Sequence, residues 1–131
     1  MSTFNNIQNA LNIKLNSLSG LPTIFWPNTQ LEPAQNQNYI RPTLIPATST
    51  LYTLNEGDYH SGIYQVDVFV KLKQGSSEAL LLADVIRDGF IRESLTEGGT
   101  LVHIQNISMS QAERIESWWR VFVEIRYLSI A

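Results

Sequence analysis

Residues 62–72 read GIYQVDVFVKL. From Tyr64 onward every second residue is apolar: Tyr64, Val66, Val68, Val70 and Leu72. Gln65, Asp67, Phe69 and Lys71 stand between them. Successive side chains of an extended chain point to opposite sides, so this alternation predicts a strand with one face in a core. The same period returns in residues 118–128, WWRVFVEIRYL. Trp119, Val121, Val123, Ile125 and Tyr127 form one face of that strand, which the pattern runs from Ser117 to Ile130. Trp118, Arg120, Phe122, Glu124, Arg126 and Leu128 form the other. Two long strands of this kind need a sheet, and the rest of the chain supplies its cover.

Phe4, Ile7, Leu11, Leu15 and Leu18 recur at steps of three and four, the spacing of one helix face over residues 3–18. Ser2 or Thr3 can cap its start, and Gly20 with Pro22 ends it. A second helix is expected over residues 77–91, with Ser76 or Ser77 as N-cap and Glu78 favoured in the first turn by the helix dipole. Its apolar stripe is Ala79, Leu82, Ala83, Ile86 and Phe90, broadened by Leu80 and Leu81.

Shorter extended segments are predicted at 23–26, 39–54 and 100–107. Turns are expected at 55–58, 74–77 and 97–99, and a connector with room for one helical turn at 108–114. Pro22, Pro27, Pro33, Pro42 and Pro46 are all the prolines of the chain. Each lacks an N–H and holds the preceding residue extended, so Pro42 and Pro46 belong at a sheet edge. The order α-β-β-β-α-β-β, with hairpin-like neighbours, predicts an α+β fold: a mostly antiparallel sheet packed with two helices.

At 131 residues the chain is expected to form one domain, residues 1–131, with a core that needs no metal or disulfide to fold. Apolar residues make up 44%, well above the range of disordered chains. Cysteine is absent, which removes disulfides, thiolate zinc sites and Cys nucleophiles. The formal charge is -3 and the only lysines are Lys14, Lys71 and Lys73, the opposite of a nucleic-acid footprint. The start MSTFNNIQNA has neither an early basic group nor an apolar run, so no secretory leader is expected. No stretch has the roughly 20 apolar residues of a membrane span.

Catalytic candidates are few. His60 follows Glu56 and Asp58 in EGDYH, where two carboxylates could tune a base or hold a metal. The simpler reading is a polar turn entering a strand, since the spacing matches no metal motif. His103 sits in a strand and reads as a structural or surface histidine. Gly98-Gly99 is a turn, not a phosphate cradle, and no Gly-x-Ser-x-Gly elbow occurs. Asp84 and Asp88, beside Arg87, read as a solvated helix face. No catalytic residue, cofactor or metal is therefore assigned.

What remains is the second sheet face. Phe69, Trp118, Phe122 and Leu128 are each worth on the order of 1.5–3 kcal/mol when buried, so leaving all of them wet is unfavourable. Either the helix at 3–18 covers them or another subunit does. Arg120, Glu124 and Arg126, interleaved with them, make the face polar enough for a free subunit, which suits assembly after folding.

Three stretches then resemble one family. They are Ile24-Phe25-Trp26-Pro27-Asn28 followed by Tyr39-Ile40-Arg41; Gly62 to Val68 leading through Gly75 to Ala83-Asp84-Val85-Ile86 and Phe90; and Trp118-Trp119 with Val121 to Tyr127. In order and spacing, over residues 22–128, they are similar to the phage tail-terminator-like proteins. The resemblance implies an α+β fold and a structural, non-catalytic role. It implies a homo-hexameric ring on the finished tail tube, contacting the tail tube protein below and the head-tail connector protein above. It also implies a place in the virion tail, after assembly in the host cytoplasm. The loops at 27–38 (Asn28, Gln30, Gln35, Asn36) and 92–99 (Glu93, Glu97) are then the candidates for tube and connector contact. A neck or head-tail joining protein is the nearest alternative; a small enzyme using His60 with Asp58 or Glu56 is a more distant one. No membrane partner and no specific nucleic-acid binding are expected.

Overall fold

The structure, a computed structural model, describes residues 3–26, 37–51, 58–116 and 118–130. The elements run α1 (Thr3–Ser17), β1 (Thr23–Ile24), β2 (Tyr39–Leu51), β3 (Asp58–Lys71), a 3-10 turn (Leu72–Gln74), α2 (Ser76–Phe90), β4 (Ser94–Glu97), β5 (Thr100–Met109), β6 (Glu113–Ile115) and β7 (Trp118–Ile130). Seven strands make one sheet in the order β1-β2-β3-β7-β5-β4, with β6 also on β7. Every pairing is antiparallel except β1 with β2. The fold is α+β, with two helices and a mostly antiparallel sheet.

β3 and β7 are the centre, paired from Tyr59↔Ile130 to Lys71↔Trp118. Their alternation does what it predicts: Tyr64, Val66, Val68 and Val70 of β3 are buried with Val121, Val123, Ile125 and Tyr127 of β7. Both helices pack on this side. Ile7, Leu11 and Leu15 of α1 and Ala79, Leu82, Ala83, Ile86 and Phe90 of α2 belong to the same core cluster. α1 is fixed there by polar contacts as well. Asn6 Nδ2 donates to Thr100 Oγ1 (3.1 Å) and to the Gly98 carbonyl (3.5 Å), and Lys14 pairs with Glu93 (2.9 Å).

Several local expectations are corrected. The 92–99 segment is not all turn, because Ser94–Glu97 forms β4 and pairs with β5 around Gly98-Gly99. Both glycines have positive φ (58° and 83°), the backbone that a two-residue hairpin loop demands. The 108–114 connector holds no helical turn. Met109 still pairs in β5, and Glu113–Ile115 pairs with β7 as β6. Between them Ser110 keeps the ladder intact: its N–H donates to the Phe122 carbonyl and its Oγ accepts from the Phe122 N–H, both at 2.9 Å. The N-cap of α2 is Gly75 at φ 84°, not a serine; its N–H closes the preceding turn on the Leu72 carbonyl (3.1 Å). Leu80 and Leu81 do not broaden the buried stripe; they are exposed on the far side of α2. Ser2 and residues 55–57 lie outside the described residues.

Pro42 falls where its chemistry requires. Among the described residues β1 pairs only with Tyr39 and Ile40, so β2 is the open edge beyond them. The Ile40 carbonyl points to that edge, accepting from Phe25 N–H (2.9 Å), and strand alternation places Pro42 and Leu44 on the same side. Pro42 has no N–H to offer there, which weakens the edge as a template for another strand.

Gly62 marks a close approach. A Cβ built on it would lie 2.6 Å from the Ile45 carbonyl oxygen and 2.6 Å from Tyr127 Oη. The carbonyl belongs to the paired strand and cannot rotate away. Gly62→Ala is therefore expected to cost about 1–3 kcal/mol, read as a lower urea midpoint. Gly89→Ala should cost less, because its close neighbours are the terminal methyls of Leu18.

Candidate functional site

The side of the sheet away from the helices is the candidate. Pairing places Phe69 opposite both Tyr39 and Arg120, Lys71 opposite Trp118, Asp67 opposite Arg41 and Phe122, Gln65 opposite Glu124, and Ile63 opposite Arg126. The seven residues named for this face in the sequence (Phe69, Trp118, Arg120, Phe122, Glu124, Arg126 and Leu128) thus share one side. Trp119 goes to the other side and packs against the core. Among the described residues neither helix reaches the outer face, so α1 does not cover it.

One half of the face is aromatic. Tyr39 and Phe69 stack with centroids 4.6 Å apart and planes 14° apart. Trp118 meets them edge-on, at 5.2 Å from Tyr39 and 6.4 Å from Phe69, and Phe25 meets Tyr39 edge-on at 5.5 Å. Such offset and edge contacts suit the ring quadrupoles and fix the rings against one another. The Arg41 guanidinium lies 5.8 Å above the Tyr39 ring.

The other half is ionic. Arg120 donates to Asp67 and to Glu113, both at 2.8 Å, and lies 5.0 Å above the Phe122 ring. Gln65 donates to Asp67 as well (3.2 Å). Burial opposes the Arg120 charge, but the charges and hydrogen bonds of Asp67 and Glu113 outweigh it and hold its pKa above the ordinary value. A guanidinium held by two carboxylates presents a rigid, oriented group rather than a loose surface charge.

Tyr39, Phe25, Asp67 and Glu113 join this surface without having been picked from the sequence as site residues. Register is what places them, and only the alternation of Asp67 with Val66 and Val68 hinted at it. The four loop residues Asn28, Gln30, Gln35 and Asn36 lie outside the described residues. Glu93 is not a free loop group: it pairs with Lys14, and its carbonyl accepts from Ile104 N–H (3.0 Å). Glu97 ends β4 opposite Thr100.

The groups considered for chemistry fall on β3, β5 and α2. His60 is buried on the helix side of β3, opposite Ser129. Asp58 opens the same strand, and Glu56 lies outside the described residues. His103 is exposed and hydrogen-bonds through Nδ1 to Ser94 Oγ (3.0 Å). Asp84 and Asp88 are exposed on α2, with Asp88 3.3 Å from Arg87. Among the described residues no three His, Asp or Glu side chains gather as a metal site. No helix among them is long and apolar enough to cross a membrane.

Burial also tunes three tyrosines. It pushes the phenol pKa of Tyr39 up (Arg41 lowers it in part and Asp67 raises it), and it does the same for Tyr64 and Tyr127. The folded state therefore holds these protons more tightly than the unfolded chain. Their contribution to stability is complete below the unfolded value of about 10 and is lost as pH rises above it, by up to about 1.4 kcal/mol per pH unit for each group. Urea midpoints are expected to stay level between about pH 8 and 9 and to fall steeply above about pH 10. The part of the phenolate absorbance that comes from these three of the five tyrosines should rise with the unfolding transition rather than before it.

Comparison with known proteins bears on the fold and the family. One solved structure superposes with a TM-score of 0.74 over 100% of this chain and 96% of its own, at 22% identity. A chain from the virion of a native gene transfer agent particle superposes with a TM-score of 0.72 over 99% of this chain and 98% of its own, at 14% identity. Both likenesses are of fold. No curated protein sequence matches the chain. The family model described as phage tail terminator protein matches residues 6–127, almost the whole length. The chain belongs to the phage tail terminator family.

Proposed function

We propose that this protein ends the growth of a phage tail tube. Six copies close into a ring on the finished tube, block addition of further tube protein and offer the opposite surface to the head-tail connector protein. The work is binding, not catalysis, and the protein resides in the virion tail after assembling in the host cytoplasm. The observation that carries this reading is the outer sheet face: an aromatic cluster and an ion network on a rigid strand pair, with neither helix over it. A family of virion proteins gives such a face a natural occupant, another protein of the same particle.

The test is tube length. Purified protein added to polymerising tail tube protein is expected to give tubes of limited length, with a ring at one end in electron micrographs. The net charge of -3 also predicts no tight, salt-sensitive binding to duplex DNA, checked by fluorescence anisotropy across a salt series.

A further inference from the structure

We infer that neighbouring subunits meet head to tail, the exposed side of α2 on one copy docking on the outer sheet face of the next; this rests on the ring assembly proposed above. The two surfaces are different patches on opposite sides of the sheet. The core side of α2 is occupied by Ala79, Leu82, Ala83, Ile86 and Phe90. Its far side exposes Leu80, Leu81, Asp84 and Asp88, with Leu81 60% exposed. A large aliphatic side chain that open to water adds little to the fold of its own subunit. Residues 81, 84 and 88 follow helical spacing, so Leu81 and the two aspartates form one stripe; Asp88 already pairs with Arg87 (3.3 Å), and Asp84 stands between it and Leu81.

The outer sheet face carries the complement. Phe69 and Trp118 are apolar and half-buried, and Arg41 is exposed beside them. Arg41 lies two residues from Tyr39 along β2, about 7 Å by strand rise. Along the helix, Asp84 and Asp88 lie about 5 and 10 Å from Leu81. With Leu81 seated on the aromatic cluster and α2 running along the strands toward Arg41, Asp84 falls beside Arg41. Arg120 is already held by Asp67 and Glu113, and Lys71 beside Trp118 is half-buried, which makes Arg41 the exposed cation next to the aromatic cluster. The contact is heterologous: each subunit carries one copy of each patch, so addition continues until rotation closes a ring. Sheet face against sheet face would instead stop at two copies.

Charge reversal tests the contact. Asp84→Arg and Arg41→Glu are each expected to lower self-association by about tenfold or more, by sedimentation of the full chain alone and on tail tubes. The double variant is expected to restore the wild-type level, because the pair is re-formed with its signs exchanged. The chain has no cysteine, so a second measurement is clean. Leu81→Cys combined with Phe69→Cys is expected to oxidise into a ladder of oligomers, while either cysteine alone gives dimers at most. Association that ignores both reversals, a double variant that stays weak, or a cysteine pair that gives no ladder would overturn the head-to-tail docking and leave tube capping standing if tube length is still limited. A wild-type chain that never associates and leaves tubes growing would overturn both.

Discussion

Replacing Phe69 and Trp118 together by alanine is expected to leave a folded subunit that no longer stops tail tubes. The two rings sit on the outer face, one stacked on Tyr39 and one edge-on to it, and neither α1 nor α2 covers them. Buried aromatic anchors of an interface are typically worth about 2 kcal/mol or more each. Two such losses together weaken association by a factor of about a thousand. The cost to the isolated subunit should be smaller, because both side chains already have one side open. Far-ultraviolet circular dichroism should be unchanged, the urea midpoint should fall modestly, and tubes should grow as they do without the protein. A double variant that still limits tube length would remove the outer face from the mechanism.

The second large effect lies on the other side of the sheet. Leu11 is fully buried between Ile7 and Leu15 in the core that joins both helices to β3 and β7. Leu11→Ala removes its buried methyls and leaves a cavity that neighbouring residues fill only in part. The expected cost is about 2–5 kcal/mol, a large share of the roughly 5–15 kcal/mol stability of a domain. Chemical denaturation should show it directly. The contrast between the two substitutions is the informative result: helix-side truncation harms folding, while outer-face truncation harms assembly. An outer-face variant that unfolded as badly as Leu11→Ala would mean that this face serves the monomer's own core.

Most of the fold is legible in the sequence because the long elements are strongly periodic. Tyr64 to Val70 and Val121 to Tyr127 alternate without interruption, and the buried positions of α2 follow the helical step residue by residue. The short strands are not legible. SLTE has only four residues beside a glycine turn, and ERI is exposed throughout, so its strand character comes from pairing with β7 alone. Leu80 and Leu81 illustrate a different limit. Hydrophobicity says that a leucine prefers cover, but not whether its own fold supplies it.

The candidate site was readable to the extent that it lies within one strand. The six outer residues of β7 share a side by parity, which a sequence displays. Tyr39 and Glu113 do not, because joining them to Phe69 and Arg120 depends on the register of other strands. The position of α1 was equally open, since a stripe of Ile7, Leu11 and Leu15 packs as well on one sheet face as on the other. Asn6 reaching Thr100 and Lys14 reaching Glu93 fix it beside α2. That placement keeps both helices on the core side of the sheet.

Tube length in the presence of the purified chain, measured by electron microscopy against tail tube protein polymerising alone, bears most directly on the central proposal. A narrow, shortened distribution with a ring at one end of each tube is the predicted result. Tubes of unchanged length, with the protein remaining a monomer in the supernatant, would contradict it.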